Sequence, residues 1–130
     1  MSERGEIQRR SIGVVFSDGG LLAVTAARPT DSAGHGDETV SAIVCGPDGA
    51  PVEVSETLLS TEYGADGVQR RATLELWTDA EDEIGPQRGS GTLISAARVR
   101  RDDLVADIAF FRWQLEGRDG LGHYEVVRGG

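Results

Sequence analysis

Asp107 is one of two carboxylates, with Glu125, that the sequence places for acid–base chemistry. It interrupts the apolar run LVADIAFF and, in an extended strand, points to the same side as Phe111 and Trp113. Desolvation among aromatic neighbours raises the pKa of a carboxyl group, so the sequence predicts that Asp107 is a general acid near neutral pH. The alternative is a strand-edge or bulge position at which Asp107 reaches water or an arginine.

The last predicted hairpin separates a polar face from an aromatic face. With Asp119 and Gly120 at the centre of the turn, Glu116 lies opposite His123, whereas a turn centred one residue earlier changes the partners but keeps the faces. The polar face consists of Arg112, Gln114, Glu116, His123 and Glu125. The aromatic face consists of Phe111, Trp113 and Leu115 opposite Tyr124, Val126 and Arg128. The polar face is either an acid–base group that includes Glu125 or the solvated outside of a sheet.

Four aromatic side chains are candidate walls of a ligand site. Phe111, Trp113 and Tyr124 share one side of the hairpin. Trp77 lies in ATLELWT, where either set of alternating residues can face inward. Each ring belongs either to a packed core or to the lining of a pocket, and the sequence alone does not choose.

Several other chemistries are not supported. The 130 residues include two histidines and one cysteine, too few for a typical zinc site, and the absence of lysine excludes Schiff-base catalysis. The formal net charge of −9 comes from 22 acidic and 13 basic residues, so nucleic acid is not an expected partner. The sequence predicts neither a metal nor a cofactor.

Tight turns divide the chain into short strands. Asp-Gly, a dipeptide that favours hairpin turns, occurs at residues 18–19, 48–49, 66–67 and 119–120. The segments between these turns are rich in β-branched and alternating apolar residues, and none has the recurrence of a capped helix. The pattern predicts an all-β fold, an antiparallel β-barrel of about eight strands, with a β-sandwich as the alternative. At this size a barrel interior holds side chains or one small ligand.

One domain accounts for most of the chain. Residues 1–10 are polar and are predicted to be a flexible N-terminus, and residues 11–130 are predicted to form a single barrel domain. Residues 29–38 and 79–86 are predicted connections. No apolar run suits a secretory signal or a membrane span, and the single Cys45 agrees with a reducing compartment, so a cytoplasmic location is expected.

Residues 110–129, FFRWQLEGRDGLGHYEVVRG, resemble the closing hairpin of the lipocalin-like superfamily that includes AttH-type proteins and carotenoid hydratases. The shared pattern is an aromatic strand that ends in Glu116-Gly117-Arg118 and is followed by Gly120, Gly122 and Glu125. The resemblance extends loosely back to residue 39. It implies a lipocalin-like barrel that hydrates or cyclises an apolar isoprenoid or polyketide-type molecule without a cofactor. Members generally have two such domains, whereas this chain is long enough for one, so only Glu125 and Gly122 are carried over.

Three functions are compatible with these features. The leading hypothesis is a lipocalin-like barrel that binds a small apolar molecule and promotes its cyclisation, hydration or isomerisation. The catalytic candidates are Asp107 and Glu125, and the wall candidates are Phe111, Trp113, Tyr124 and Trp77. The alternatives are a non-catalytic binding protein and a structural assembly module, with a homodimer as one arrangement. Rings around an open space favour the small-molecule functions, and interlocked rings favour assembly.

Overall fold

Eight antiparallel strands form a closed barrel in the computed structural model, which describes residues 7–28, 39–78 and 85–129. The strands are β1 (Ile7–Phe16), β2 (Leu21–Arg28), β3 (Thr39–Cys45), β4 (Pro51–Tyr63), β5 (Gln69–Thr78), β6 (Gln87–Arg101), β7 (Leu104–Leu115) and β8 (Arg118–Gly129). Each strand pairs with the next along the chain, and β8 pairs with β1. The prediction of an all-β barrel of about eight strands is confirmed, and the sandwich alternative is not observed.

The first strand begins earlier than predicted. β1 starts at Ile7, so residues 7–10 of the predicted N-terminal segment belong to a strand. The predicted connection at residues 29–38 and residues 79–84 of the predicted connection at 79–86 lie outside the described residues, and residues 85–86 precede β6. Within the described part of the chain, no helix has the length and apolar character needed to cross a membrane.

Three of the four predicted Asp-Gly turns are confirmed. Asp18, Asp48 and Asp66 each accept a hydrogen bond from the backbone N–H two residues later, at distances of 2.8 to 3.0 Å. The glycine that follows each aspartate has a positive φ, between 81° and 94°. The aspartate therefore holds the turn through its side chain, and the glycine supplies the left-handed backbone that the turn requires.

The fourth predicted turn is wrong. Glu116 and Gly117, with φ of 48° and 83°, form the turn between β7 and β8, and the Asp-Gly pair lies inside β8. Arg112 therefore pairs with Leu121 rather than with Val127. Because this shift is an even number of residues, every side chain stays on its predicted face.

Apolar side chains fill the inner side of the barrel wall. The buried hydrophobic residues are Ile12, Val14, Phe16, Leu22, Val24, Ala26, Val44, Ala72, Leu74, Leu76, Ala109, Phe111, Trp113, Leu115, Tyr124 and Val126. Along β7 and β8 they alternate with exposed residues, as expected for strands with one side in the core. The aromatic face of the last hairpin therefore points inward and the polar face points outward, and the predicted division into two faces is confirmed.

The absence of side chains at two glycines allows the core to close. A Cβ at Gly91 would lie 2.6 Å from the ring of Trp113, and a Cβ at Gly122 would collide with the backbone of Gly13 on the neighbouring strand. Both glycines are buried. The contact of the large rings with β6 therefore depends on Gly91, and the close approach of β8 to β1 depends on Gly122.

Candidate functional site

Asp107 lies on the inner side of β7 and is paired with two arginines. Its side chain is 0% exposed. One carboxylate oxygen accepts a hydrogen bond from Arg98 Nε at 2.6 Å, and the other accepts hydrogen bonds from Arg98 at 3.2 Å and Arg128 at 2.8 Å. The two guanidinium groups come from β6 and β8, the strands on either side of β7. We call these three residues the arginine cluster.

The charge state of Asp107 differs from the prediction. Burial by itself would raise the pKa of Asp107, but the hydrogen bonds and positive charges of Arg98 and Arg128 outweigh burial and hold the pKa below its ordinary value. Asp107 is therefore ionised at neutral pH. The prediction of a raised pKa is wrong, and the alternative of an aspartate that reaches an arginine is the observed arrangement.

The arginine cluster also connects to the turn between β4 and β5. Arg98 donates a hydrogen bond to the backbone carbonyl of Asp66 at 3.0 Å, and Arg128 lies 5.7 Å from the ring centre of Tyr63. The side-chain amide of Gln69 donates to the backbone carbonyls of Asp107 and Tyr124, at 3.1 and 2.9 Å. These contacts hold the β4–β5 turn against one end of the barrel.

Two other predicted site residues lie on the outer side of the wall. Glu125 faces outward on β8, where its carboxylate accepts a hydrogen bond from the hydroxyl of Ser11 at 3.5 Å. Trp77 is 38% exposed on β5. The structure therefore does not bring Glu125 together with Asp107, or Trp77 together with the interior rings.

The other three predicted wall residues pack against one another. The ring centres of Phe111 and Trp113 are 5.2 Å apart, those of Phe111 and Tyr124 are 5.7 Å apart, and those of Trp113 and Tyr124 are 6.4 Å apart. These are ordinary contact distances for aromatic pairs. The three rings therefore pack against one another as part of the core rather than around an open space.

The barrel wall is least continuous between β3 and β4. Only three residue pairs join these strands, all at the end where Cys45 meets Pro51. Beyond them the inward-facing hydrophobic side chains of both strands are only partly buried, namely Val40, Ala42, Val54 and Leu59. The core hydrophobic residues of β1, β2, β5, β7 and β8 are at most 2% exposed, although Val105 on β7 and Leu93 on β6 are also only partly buried. We call the region lined by these four residues the β3–β4 opening.

Polar groups follow the inner side of β4 beside this opening. The hydroxyl groups of Thr61 and Tyr124 are 2.5 Å apart, and Arg10 donates to both at 3.4 Å. Thr57, which is 7% exposed, lies two positions before Leu59 on the same side of the strand, and its hydroxyl oxygen has no hydrogen-bond partner among the described residues. The inner side of β4 beside the β3–β4 opening therefore carries two threonine hydroxyl groups, one of which contacts Tyr124 and Arg10 on β8 and β1.

The hydroxyl of Tyr124 stays protonated at neutral pH. Burial raises its pKa above the ordinary value of 10, although the hydrogen bond to Thr61 and the charge of Arg10 act in the opposite direction. Tyr124 can therefore donate or accept a hydrogen bond here, but it is not a base near neutral pH.

Sequence reasoning missed Arg10, Thr57 and Thr61. Arg10 has the strand parity of Ile12 and Val14, and both threonines have the parity of Leu59, so alternation could have placed all of them inside. These three residues are polar, and polar residues in strands usually face solvent, so they were not expected to face inward.

A second apolar surface lies on the outside of the barrel. Five large hydrophobic side chains that are 42% to 66% exposed form this outer apolar face: Val15, Leu21, Ile43, Phe110 and Leu121. Beside it, a groove with a volume of about 680 Å³ is bounded by Val15, Leu121, Arg112 and Asp119, among others. This groove is separated from the β3–β4 opening by the barrel wall.

Comparisons of the chain with protein-family models, with curated proteins and with solved structures find no match. The resemblance to the lipocalin-like superfamily therefore stays a prediction. Among the residues that the structure describes, no group of three or more histidine, cysteine, aspartate or glutamate side chains is arranged to hold a metal ion. The class that the fold defines is a closed eight-stranded antiparallel β-barrel.

Proposed function

We propose that this protein is a non-catalytic binding protein for a small apolar molecule that carries one oxygen-bearing polar group. The observation that carries the proposal is the partial exposure of four inward-facing hydrophobic side chains on β3 and β4, next to the shortest strand ladder of the barrel, whereas most inward-facing hydrophobic residues of the other strands are almost fully buried. Apolar surface that faces the interior and remains open to solvent is typical of ligand sites.

The lining of the β3–β4 opening indicates the chemistry of the ligand. Val40, Ala42 and Leu59 offer contacts to an apolar body. Arg10 and the hydroxyl of Tyr124 offer hydrogen bonds to an oxygen atom of the ligand, and a bond from the guanidinium to a carboxylate or enolate is charge-assisted and therefore stronger than a neutral one. An apolar acid or a long-chain molecule with a terminal oxygen function fits this set.

The positions of the two candidate catalytic carboxylates favour binding without turnover. Asp107 is ionised and engaged by two guanidinium groups, so it has no proton to donate and both of its oxygens already accept hydrogen bonds. Glu125 lies on the opposite side of the wall. Acid–base catalysis by this pair is therefore not part of the proposal.

The proposal is tested by fluorescence titration with cis-parinaric acid and its methyl ester, two apolar polyenes that differ in one charge. Ala42→Trp fills the β3–β4 opening and is expected to weaken binding of both compounds by at least about tenfold, the equivalent of about 1.4 kcal/mol. Arg10→Gln is expected to weaken binding of the acid more than binding of the ester. Ala97→Trp, an exposed position on β6, is the matched control and should have no effect.

The outer apolar face supplies a second control, because it can also attract apolar compounds. Leu121→Glu should leave the titrations unchanged. Binding that survives Ala42→Trp but is lost in Leu121→Glu would contradict the proposal, as would binding that is unaffected by both substitutions. Wild-type protein should return the bound compound chemically unchanged, which chromatography of the extracted ligand checks.

A further inference from the structure

We infer that two copies of this chain associate through the outer apolar face. Strand pairing places its residues in two adjacent rows across β7, β8, β1, β2 and β3. In one row Leu121, Val15 and Leu21 are direct neighbours on successive strands. The other row consists of Phe110, His123, Gly13, Ala23 and Ile43. The rows are contiguous, so the face is one surface rather than scattered single residues.

The size of the face matches what a homodimer needs. With roughly 200 Å² for a fully exposed large side chain, the exposed parts of its five large residues amount to about 500 Å². A standard interface buries about 800 Å² on each partner, and in homodimers about 65% of that area is apolar. The outer apolar face therefore supplies the apolar share of one interface of ordinary size.

The neighbours of the face supply the polar rim that such an interface requires. Arg112 pairs with Leu121 at one edge, and Glu125 lies two residues from His123 at the other. A positive and a negative side chain thus border the same apolar surface. Two copies can bury the apolar centre while these charged groups stay at the solvated edge.

The order of large and small residues favours a second copy as the occupant. A two-fold axis parallel to the strands, between β8 and β1, sets β7 of one copy over β2 of the other. Phe110 then faces Ala23 of the partner subunit, so the largest ring of the face meets a small residue. In the other row Leu121 faces Val15 of the partner subunit, so two exposed apolar side chains meet near the axis.

The inference is tested by sedimentation equilibrium over a concentration series, with circular dichroism to check that each variant is folded. Wild-type protein is expected to be dimeric at micromolar concentration. Leu121→Glu is expected to raise the dimer dissociation constant by at least about tenfold, because it places a charge at the centre of the contact. Leu58→Glu is the matched control, since Leu58 is 50% exposed, Leu121 is 49% exposed, and Leu58 lies on β4 outside the face.

A size exchange tests the two-fold arrangement. Phe110→Ala and Ala23→Phe should each weaken the dimer, and the double variant should recover most of the lost affinity because a large residue again meets a small one.

Wild-type protein that stays monomeric up to about millimolar concentration overturns the inference. Equal effects of Leu121→Glu and Leu58→Glu also overturn it, as does a monomer that binds phosphatidylcholine vesicles through the same face. A double variant no tighter than the single ones overturns the proposed axis.

Discussion

Replacement of Asp107 with asparagine is expected to lower the free energy of unfolding by about 3 kcal/mol. The carboxylate is 0% exposed and accepts hydrogen bonds of 2.6, 2.8 and 3.2 Å from two guanidinium groups. Disruption of a buried ion pair typically costs about 3–5 kcal/mol, because a charge is left without its partner. We take the lower limit because Arg98 and Arg128 are 35% and 30% exposed and can turn toward water.

Urea denaturation at pH 7 measures this effect. The midpoint should fall without a change in the slope, and the melting temperature of a domain of this size should drop by roughly 10 °C. Asp103→Asn is the matched control, because it makes the same charge change at an exposed turn position and should stay within about 0.5 kcal/mol of wild type. Equal stability of the two variants would refute the assignment of Asp107 as the centre of the arginine cluster.

The pH dependence of stability gives an independent check with a definite sign. Because the pKa of Asp107 is lower in the folded protein than the ordinary value of 3.8, its contribution is fully present above pH 3.8 and is lost as the pH falls through the folded pKa. The unfolding free energies of wild type and Asp107→Asn should therefore converge in acid. If the difference in unfolding free energy between wild type and Asp107→Asn stays constant below the folded and unfolded pKa values of Asp107, ionisation of Asp107 is not the source of that difference.

The packing of the barrel leads to three further predictions. In chemical denaturation, Gly122→Ala should lower the free energy of unfolding by more than about 3 kcal/mol, because the added Cβ meets the backbone of the neighbouring strand. Gly117→Ala should lower it by about 1–2 kcal/mol, because Gly117 has φ of 83° but no atom lies near the added Cβ. Acrylamide should quench Trp77, which is 38% exposed, far more than Trp113, which is 2% exposed, and Trp77→Phe should leave only blue-shifted emission. Absorbance at alkaline pH should show that Tyr124 ionises above its ordinary value of 10, and ionisation below pH 10 would contradict its burial.

The barrel was predictable from the sequence because its strands and most of its turns are encoded locally. Alternating residues in β7 and β8 identify the inner side, and Asp18, Asp48 and Asp66 hold their turns through their own side chains. The failure at Gly120 has a packing cause. A Cβ at this position would lie 2.7 Å from Val14, so the glycine makes room for the core inside β8 rather than forming a turn.

The candidate site was less predictable because it depends on contacts between distant segments. Strand parity placed Asp107 on the same side as Phe111 and Trp113, but the sign of its pKa shift depends on Arg98 and Arg128. A register irregularity in β6 between Leu93 and Ser95 brings Arg98 opposite Asp107, and alternation does not locate such irregularities. The β3–β4 opening arises because β3 and β4 pair over only three residues next to their turn. Local sequence preferences do not specify where such pairing ends.

The arginines at the two ends of the barrel bear on how a ligand would reach the interior. At one end Arg118 lies 4.3 Å from the ring centre of Phe16 and donates to Asp18 at 2.6 Å. At the other end Arg98 joins Asp107 to the β4–β5 turn. A planar guanidinium can contact a ring, a carboxylate and a backbone carbonyl together, which an ammonium group does less well. A ligand that entered through either end of the barrel would have to break charge-assisted hydrogen bonds of these arginines. Between β3 and β4, beyond the three residue pairs that join these strands, a ligand would break no backbone pairing. Under the proposed function, ligand exchange therefore takes place between β3 and β4.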